Sequence, residues 1–503
     1  MPNPIDNLLN RITMYRVALY YLLILWAVAL ALSALGKLPF TPLALVVSTI
    51  VLLAVSITVN ELCARFLKIP ANVESVYITA LILSLIITPS FKTSSLWFYV
   101  WAAVLAMATK YLITWRRKHL FNPAALAVVL TAFIFNQYAS WWVGSGIMLI
   151  PVLLGGLLLA RKLRRFSMVL TFIVVALASI VFLATGNSLD IVRRALVDTP
   201  LFFFAFVMFT EPLTSPPTRG TQMAYAAIVG ALFSPQVHIG AISGTPELAL
   251  VFGNIFSFIV SPKGRYLLTL KEKKQIGKDE HEFTFTPDRP VKFRAGQFME
   301  WTIDPRHADS RGNRRFFTLA SSPTEPQVHI GVKITPNGSS FKKKLMDMQA
   351  GESIIASQVA GEFTLPESSA HKFAFIAGGI GITPFRSIVR HMLDTNHQSS
   401  AVLFYSNKTT AEIAYKDIFD QAREKLGMKT VYTLTDASQV PADWRGRTGF
   451  IDAAMIEAEV PDYRDRTFYI SGPHAMVTAF THTLTRMGVP RTRIKTDFFP
   501  GFV

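Results

Sequence analysis

The sequence predicts a polytopic α-helical membrane domain of about 10 helices with an inverted repeat, followed by an antiparallel β-barrel and an α/β domain. Three observations predict it. Apolar runs separated by short basic connectors fill the chain to about residue 262, after which charges become frequent and even. The apolar half matches itself without gaps at an offset of 123 residues. Beyond residue 264 the hydrophobic pattern is first that of short strands, then that of alternating strands and helices. The domains are therefore 1–262, 263–370 and 371–503.

Ten apolar runs are candidate membrane segments: Val17–Leu35, Leu38–Val59, Val76–Ile87, Leu96–Ala108, Pro123–Phe135, Gly144–Ala160, Met168–Ala184, Leu201–Phe209, Met223–Phe233 and Leu248–Val260. Several fall short of the roughly 20 residues that a straight spanning helix needs. Those are bounded by Pro or Gly and read as broken or half-spanning helices. A signal peptide is the rival reading of the first run, but no small-residue cleavage site follows it. A composition of 51% hydrophobic and 17% charged residues over 503 positions speaks against a wholly soluble chain.

Orientation follows from the connectors, because Lys and Arg stay preferentially on the cytoplasmic side. With the N-terminus inside, the cytoplasmic set holds fifteen basic residues from Arg11 to Arg265, including His119's neighbour Lys118 and the connector residues Arg164 and Arg165. The opposite set holds only Lys37, Lys92, Arg193 and Arg194. An even span count then puts both termini in the cytoplasm. The net charge of +17 is thereby mostly topological, and no nucleic-acid partner is expected.

In the repeat, Thr88-Pro89 falls on Glu211-Pro212, and Asn122-Pro123-Ala124-Ala125-Leu126 falls on Thr245-Pro246-Glu247-Leu248-Ala249. A shift of five spans is odd, so the copies must run through the membrane in opposite senses. Inverted repeats place discontinuous helices near the midplane, where helix N-termini face a polar or anionic ligand. The plainer alternative is that paired prolines merely kink helices. Glu74, Glu211 and Glu247 lie in or beside apolar runs, where an ionised carboxylate is costly and hence a functional suspect, or else sits at the interface facing water. The segment Thr210 to Thr218 concentrates hydroxyls and prolines, Thr214 and Ser215 among them.

In the soluble half, Arg265–Leu270, His281–Thr286, Gln297–Ile303, Arg315–Ser321, Val328–Ile334 and Glu352–Ser357 read as the strands of a small barrel. Residues 372–503 read as an open parallel sheet. Its first strand, Phe373–Ala377, runs into Gly378-Gly379-Ile380-Gly381-Ile382-Thr383-Pro384 and an amphipathic helix. Glycine there lets backbone approach a phosphate, the helix N-terminus favours its charge, and proline suits the first turn. Tight turns also use glycine, so this loop alone is a weak signal.

Cys63 is the single cysteine, which excludes structural disulfides, Cys-ligated zinc and iron–sulfur clusters built by this chain alone. Residues 1–262 contain only His119 and His238, one in a basic connector and one in a short loop, so no haem is expected. No metal site is expected either.

Two resemblances follow. Phe121-Asn122-Pro123-Ala124, then Thr210-Glu211-Pro212-Leu213-Thr214-Ser215-Pro216, then Pro246-Glu247 resemble the membrane subunits of flavin-based redox pumps, over roughly residues 70–262. Those are the flavin-carrying membrane subunits of the sodium-translocating NADH:quinone oxidoreductase and of the Rnf complex. The resemblance implies a second flavin, FMN, in the membrane domain, with Asn122, Pro123, Glu211, Thr214, Ser215 and Glu247 around it. Many relatives bond FMN covalently to Thr in a Ser/Thr-Gly-Ala-Thr motif. This chain has only Ser243-Gly244-Thr245, a partial echo in a different place, so non-covalent binding is expected.

The soluble half resembles the ferredoxin-NADP reductase superfamily across about 240 residues. Arg315-Phe316-Phe317-Thr318-Leu319-Ala320-Ser321 matches its Arg-x-Tyr/Phe-Ser/Thr-x-x-Ser flavin motif, and Gly338-Ser339-Ser340 its second flavin-phosphate motif. Gly361-Glu362-Phe363, the Gly378 to Pro384 loop, Ser471-Gly472-Pro473 and the terminal Phe498 to Phe502 follow in family order. This implies an FAD-binding barrel and an NAD(P)-binding domain. By that resemblance Arg315 pairs with the FAD pyrophosphate, Phe317 lies on the isoalloxazine face and Thr318 bonds near N5. Ser321, Gly338, Ser339 and Ser340 hold FAD, while Gly378, Gly379, Gly381, Thr383, Pro384, Gly472 and Pro473 hold NADH or NADPH. Thr318, Ser471 and Phe502 form the catalytic set. Ser471 stands where many relatives have Cys. Hydride passes from nicotinamide C4 to flavin N5, so alignment is the protein's contribution. Ser406 and Lys408 leave NADH against NADPH open.

Together these readings imply a multi-pass protein of the bacterial cytoplasmic membrane, embedded in lipid. It takes hydride from cytoplasmic NAD(P)H into FAD and passes electrons through the membrane domain to a quinone or an extracytoplasmic redox protein. Quinone reduction without transmembrane transfer and redox-driven sodium transport are the alternatives.

Overall fold

The computed structural model describes residues 5, 8–9, 12–67, 73–115, 118–240, 242–261, 264–303, 309, 313–336, 338–366 and 371–497. Contacts divide the chain into two compact units, one of Ile12–Gly264 and one containing Arg265–Val503. The expected junction at Ser261–Gly264 lies partly outside the described residues, as do Arg11, Lys68, Arg116, Arg117 and Lys263.

The first unit is helical: α1 (Met14–Ala34), α2 (Pro42–Phe66), α3 (Val73–Ile86), α4 (Thr93–Leu112), α5 (Pro123–Phe135), α6 (Leu149–Leu163), α7 (Phe166–Leu183) and α8 (Ser188–Val197). They are followed by α9 (Leu201–Phe203), continuing as a π-turn over Phe204–Met208, then α10 (Arg219–Leu232) and α11 (Pro246–Val260). Each of the ten apolar runs overlaps one of these helices. Only five of the described helices are long and apolar enough to cross a membrane: α1, α2, α4, α6 with its preceding turn, and α7. The shorter apolar helices include α3, α5 and α11, each opened or followed by a proline break. α8 is an addition to the expected elements, a short amphipathic helix capped by Asn187 and carrying Arg193 and Arg194. Its charged face hid it from a search for apolar runs.

The 123-residue offset has a structural counterpart. Two-residue strands β1 (Thr114–Trp115) and β2 (Lys118–His119) form an antiparallel ribbon before α5, and β3 (His238–Ile239) and β4 (Ile242–Ser243) form one before α11. In each copy an N-cap side chain accepts from the third helical N–H, Asn122 from Ala125 at 3.0 Å and Thr245 from Leu248 at 3.3 Å, and proline opens the helix. Capping in this way satisfies amides that apolar surroundings would otherwise leave bare. The N-terminus of α5 meets the second half of α11, where Asn254 Oδ1 accepts from Asn122 N at 2.8 Å. Trp141, beyond the C-terminus of α5, meets the first turn of α11 by donating from Nε1 to Glu247 Oε2 at 3.0 Å. The two equivalent helices therefore run antiparallel.

In the second unit all six expected barrel strands are present: β5 (Arg265–Gln275), β6 (Glu280–Pro287), β7 (Phe298–Thr302), β8 (Arg314–Thr318), β9 (Val328–Lys333) and β10 (Ser353–Ala360). They pair antiparallel in the order β8-β7-β10-β5-β6-β9. Phe283, Phe285, Trp301 and Ile330 alternate inward, and α12 (Ser340–Asp347) adds Phe341 and Leu345 to the same core.

A second sheet follows from β11 (Phe373–Gly378), β12 (Ala401–Asn407), β13 (Lys429–Leu434), β14 (Arg447–Thr448), β15 (Thr467–Ser471) and β16 (Ile494–Asp497), all parallel in the order β14-β13-β12-β11-β15-β16. The helices α13 (Thr383–Thr395), α14 (Lys416–Leu426), α15 (Ala453–Glu459) and α16 (His474–Arg486) connect the strands. Strand order reverses between β11 and β15, and open parallel sheets bind ligands at the carboxyl ends of such a switch point.

Candidate functional site

Gly378 to Pro384 and Ser471 to Pro473 leave the carboxyl ends of β11 and β15, the two strands at the switch point. The loops are pressed together. A Cβ on Gly381 would lie 2.5 Å from the Ser471 carbonyl and 2.6 Å from Gly472 Cα, and one on Gly378 would meet Met476 Sδ at 2.4 Å. Gly379 has φ +51°, a left-handed conformation that glycine adopts without strain. Thr383 opens α13 with Pro384 in its first turn. The loop enters α13 through a 3-10 turn, Gly379–Ile382, in which the Thr383 N–H donates to the Ile380 carbonyl. Ser471 is buried at the end of β15, in register with Ala377 of β11.

The barrel side is assembled around β8 and α12. Arg315 lies on β8, with its guanidinium 5.8 Å from the Phe341 ring centroid, and the Phe317 ring is 5.6 Å from the same ring. Ser339 is buried and caps α12, accepting from Lys342 N at 3.4 Å. Ser340 is engaged elsewhere, exchanging bonds with Asp309 at 2.9 Å in both directions. Arg315, Phe317 and the N-terminal turn of α12 are thus brought together, with Ser339 rather than Ser340 as the buried cap. Thr318 ends β8 in register with Phe298. Ser321 joins the barrel to the second sheet: its hydroxyl accepts from His329 N at 3.2 Å and its carbonyl from Ser387 Oγ at 2.6 Å. Phe502 and the terminal Phe498 to Phe502 segment lie outside the described residues.

Several residues here were not anticipated from the sequence. Arg386, in the first turn of α13, donates to Glu325 Oε1 at 3.0 Å, to Glu325 Oε2, and to Ala320 O at 3.0 Å. This forked pair ties the helix of the glycine loop to the end of the flavin motif. Ile276 N donates to the Glu280 carbonyl at 2.9 Å, closing the β5–β6 turn. The Glu280 side chain is fully buried beneath Gly379, and burial, partly offset by Lys333 and reinforced by Glu412 and Asp279, pushes its carboxyl up to about 7.

In the helical unit the breaks gather a second polar cluster. Asn122 Nδ2 donates to Glu211 Oε2 at 2.9 Å, and Thr214 Oγ1 donates to the same oxygen at 2.9 Å. His119 Nε2 stands 3.7 Å from Glu211 Oε1. Asn254 joins Asn122 to Tyr225, donating to its hydroxyl at 3.4 Å. Ser215 Oγ donates to the Glu211 carbonyl at 2.6 Å and accepts from Arg165. Asn122, Pro123, Glu211, Thr214 and Ser215 therefore converge, whereas Glu247 belongs with Trp141. His119, in its connector, is nine-tenths buried against Glu211, and Arg165 is buried as well. Glu74 is paired with Arg16 at 3.0 Å and remains partly exposed. Asn254, a polar residue inside an apolar helix, carried the signal that was available in advance.

The family model for the oxidoreductase NAD-binding domain matches residues 375–482. The reductase subunit of glycine betaine monooxygenase from Pseudomonas aeruginosa is 26% identical over 239 residues, covering 47% of this chain and 64% of that protein. One subunit of the Na(+)-translocating NADH-quinone reductase from Yersinia pseudotuberculosis is 28% identical, covering 42% of this chain and 61% of the relative. The reductase subunit of an aromatic O-demethylase from Amycolatopsis is 30% identical over 242 residues, covering 46% of this chain and 68% of the relative. The chain belongs to the ferredoxin-NADP reductase-type oxidoreductases through its C-terminal half. These are FAD- and NAD(P)H-dependent enzymes that transfer electrons. The chain spans about 64% of the length of the first curated relatives it matches. The switch-point crevice, the close-packed glycines and the cationic face of β8 beside a helix N-terminus fit the two dinucleotides such a reductase half uses.

Proposed function

We propose that the protein is a membrane-integrated NAD(P)H oxidoreductase, in which the reductase half feeds a membrane domain that delivers electrons to a membrane or extracytoplasmic acceptor. FAD and NAD(P)H supply the hydride and single-electron chemistry when bound. The chain's residues bind and align them. Arg315 and the first turn of α12 hold the FAD pyrophosphate, Phe317 packs on the ring, and Thr318 hydrogen-bonds at its edge. The Gly378 to Pro384 loop cradles the second dinucleotide, with Ser471 beside the point of transfer. No residue is needed as a general base, so the stapling of α13 to the barrel through Arg386 serves alignment.

One observation carries the membrane half of the proposal: a buried polar cluster, His119, Asn122, Glu211, Thr214 and Asn254, built on broken helices of an otherwise apolar unit. Burying such groups in hydrocarbon is unfavourable unless they serve a ligand or carrier. The antiparallel α5 and α11 support an inverted repeat with this cluster at its breaks. In this reading it holds a non-covalent FMN, the chain is a multi-pass protein of the bacterial cytoplasmic membrane, and both termini are cytoplasmic. Cofactors released from detergent-purified protein test it. Two flavins per chain, FAD and FMN, are expected; one FAD alone contradicts the membrane carrier.

A second reading is favoured by a separate feature. An open surface groove of about 200 Å³ is lined by Ser94, Trp97, Phe98, Trp101, Phe135 and Gln137. Its aromatic walls and two hydrogen-bonding side chains suit a planar quinone ring, reduced without transfer across the membrane.

A further inference from the structure

Glu280 opens β6 in the barrel, yet its side chain lies against the glycine loop of the second sheet. A Cβ built on Gly379 would be 3.8 Å from Glu280 Oε1, and one on Gly277 would be 2.8 Å from Oε2. Both carboxyl oxygens are buried without a hydrogen-bond partner among the described residues. The site is closed by the β5–β6 turn, where Lys278 N donates to Ala411 O at 2.8 Å. The charged and titratable groups facing Glu280 are Asp279 on its own turn, Lys333 on β9, Glu412 after β12 and Tyr405 on β12. Lys333 offsets its burial only in part, and Lys333 Nζ is itself bonded to Glu412 at 3.2 Å. Hydride transfer and its alignment leave this carboxyl unused.

We propose that Glu280 is a proton-binding positioning residue for the dinucleotide site: protonated, it lets the glycine loop accept a pyrophosphate, and ionised, it opposes that anion from beneath Gly379. An unpaired carboxylate next to a site for a diphosphate is a like-charge contact in a poorly solvated place, so binding the anion favours the neutral acid. Dinucleotide binding near neutrality is then accompanied by uptake of a proton on Glu280. Its displacement to about 7 places the transition inside the physiological range. The inference rests on the dinucleotide reading of the loop and adds to it a pH dependence.

The test uses the purified full chain and tetrahydro-NADH, a non-reducing analogue with no group titrating between about pH 6 and 8. Calorimetry at several pH values, in two buffers of different ionisation enthalpy, reads affinity and proton uptake together. The wild type is expected to bind about tenfold more weakly at pH 8 than at pH 6, taking up a proton near pH 8. Glu280→Gln is expected to bind with an affinity that is flat over that range and with no uptake. A flat profile without uptake in the wild type overturns the proposal, and that measurement needs no variant. So does an unchanged pH profile in Glu280→Gln. Failure of the analogue to bind at any pH removes the dinucleotide reading itself, a result distinct from binding without pH dependence.

Discussion

At the scale of single residues, the reductase motifs were legible because their chemistry is local. A glycine that must let backbone approach, a planar cation on a strand and a serine ahead of a helix can each be read from sequence order. Gly381 shows how tight the requirement is. A Cβ there would stand 2.5 Å from the Ser471 carbonyl, backbone that cannot rotate away. Gly381→Ala is therefore expected to push the two loops apart, costing about 1–3 kcal/mol of stability and at least tenfold in NAD(P)H affinity, with FAD content retained. Equilibrium titration with NAD(P)H and the flavin absorbance of the purified variant check both halves. Glu280 was not legible, because nothing in Lys278-Asp279-Glu280-His281 distinguishes a surface acid from one folded under a loop a hundred residues away. The same holds for Arg165, a basic connector residue that the structure buries.

At the scale of elements, strand identities were recoverable and their long-range ties were not. All six barrel strands were anticipated, since period-two alternation survives in the sequence. The Arg386–Glu325 fork joins α13 to the loop after β8 and depends on tertiary placement alone. Removing the cation leaves Glu325 without its charged partner, an effect of order 3 kcal/mol for a buried pair. Arg386→Ala is expected to lower thermal stability of the reductase half and to slow flavin reduction by NAD(P)H, with Arg386→Lys restoring only part of each. Stopped-flow absorbance resolves the rate, and a melt followed by flavin fluorescence resolves the stability.

The helical elements divide similarly. Ten apolar runs were visible, but their lengths separate five helices long and apolar enough to cross a membrane from shorter ones among the described residues, and α8 escaped because its pattern is amphipathic. The paired ribbon, cap and proline ahead of α5 and α11 explain why a weak repeat survives: each copy must satisfy helix-opening amides in apolar surroundings. Asn254 joins the two copies by accepting from Asn122 N. Asn254→Leu leaves that buried N–H unpaired, a penalty of about 1–3 kcal/mol. The expected outcome is loss of the membrane flavin with FAD unaffected, read as a fall from two flavins per chain to one.

At the scale of the whole molecule, the composition is a blend. An apolar helical unit with polar groups at its breaks precedes a reductase half whose charges are frequent and even, and the charge excess lies chiefly in the helical unit. Fold class was readable because an apolar helical unit and a strand-and-helix reductase half carry different residue patterns. The acceptor was not, since the sequence order of Asn122, Glu211 and Asn254 reveals no more than that polar groups are spaced along apolar runs. Only the fold brings them together, with His119. Fusion of that site to a reductase is the reason to read the membrane half as an electron carrier rather than an anchor.

The most direct measurement uses sealed vesicles holding the full chain with its reductase half outward, NADH outside and a membrane-impermeant dye trapped inside. The account predicts reduction of the enclosed dye on addition of NADH, abolished by Asn254→Leu while NADH oxidation by a soluble external acceptor continues. NADH oxidation outside with the enclosed dye remaining oxidised would contradict transfer across the membrane.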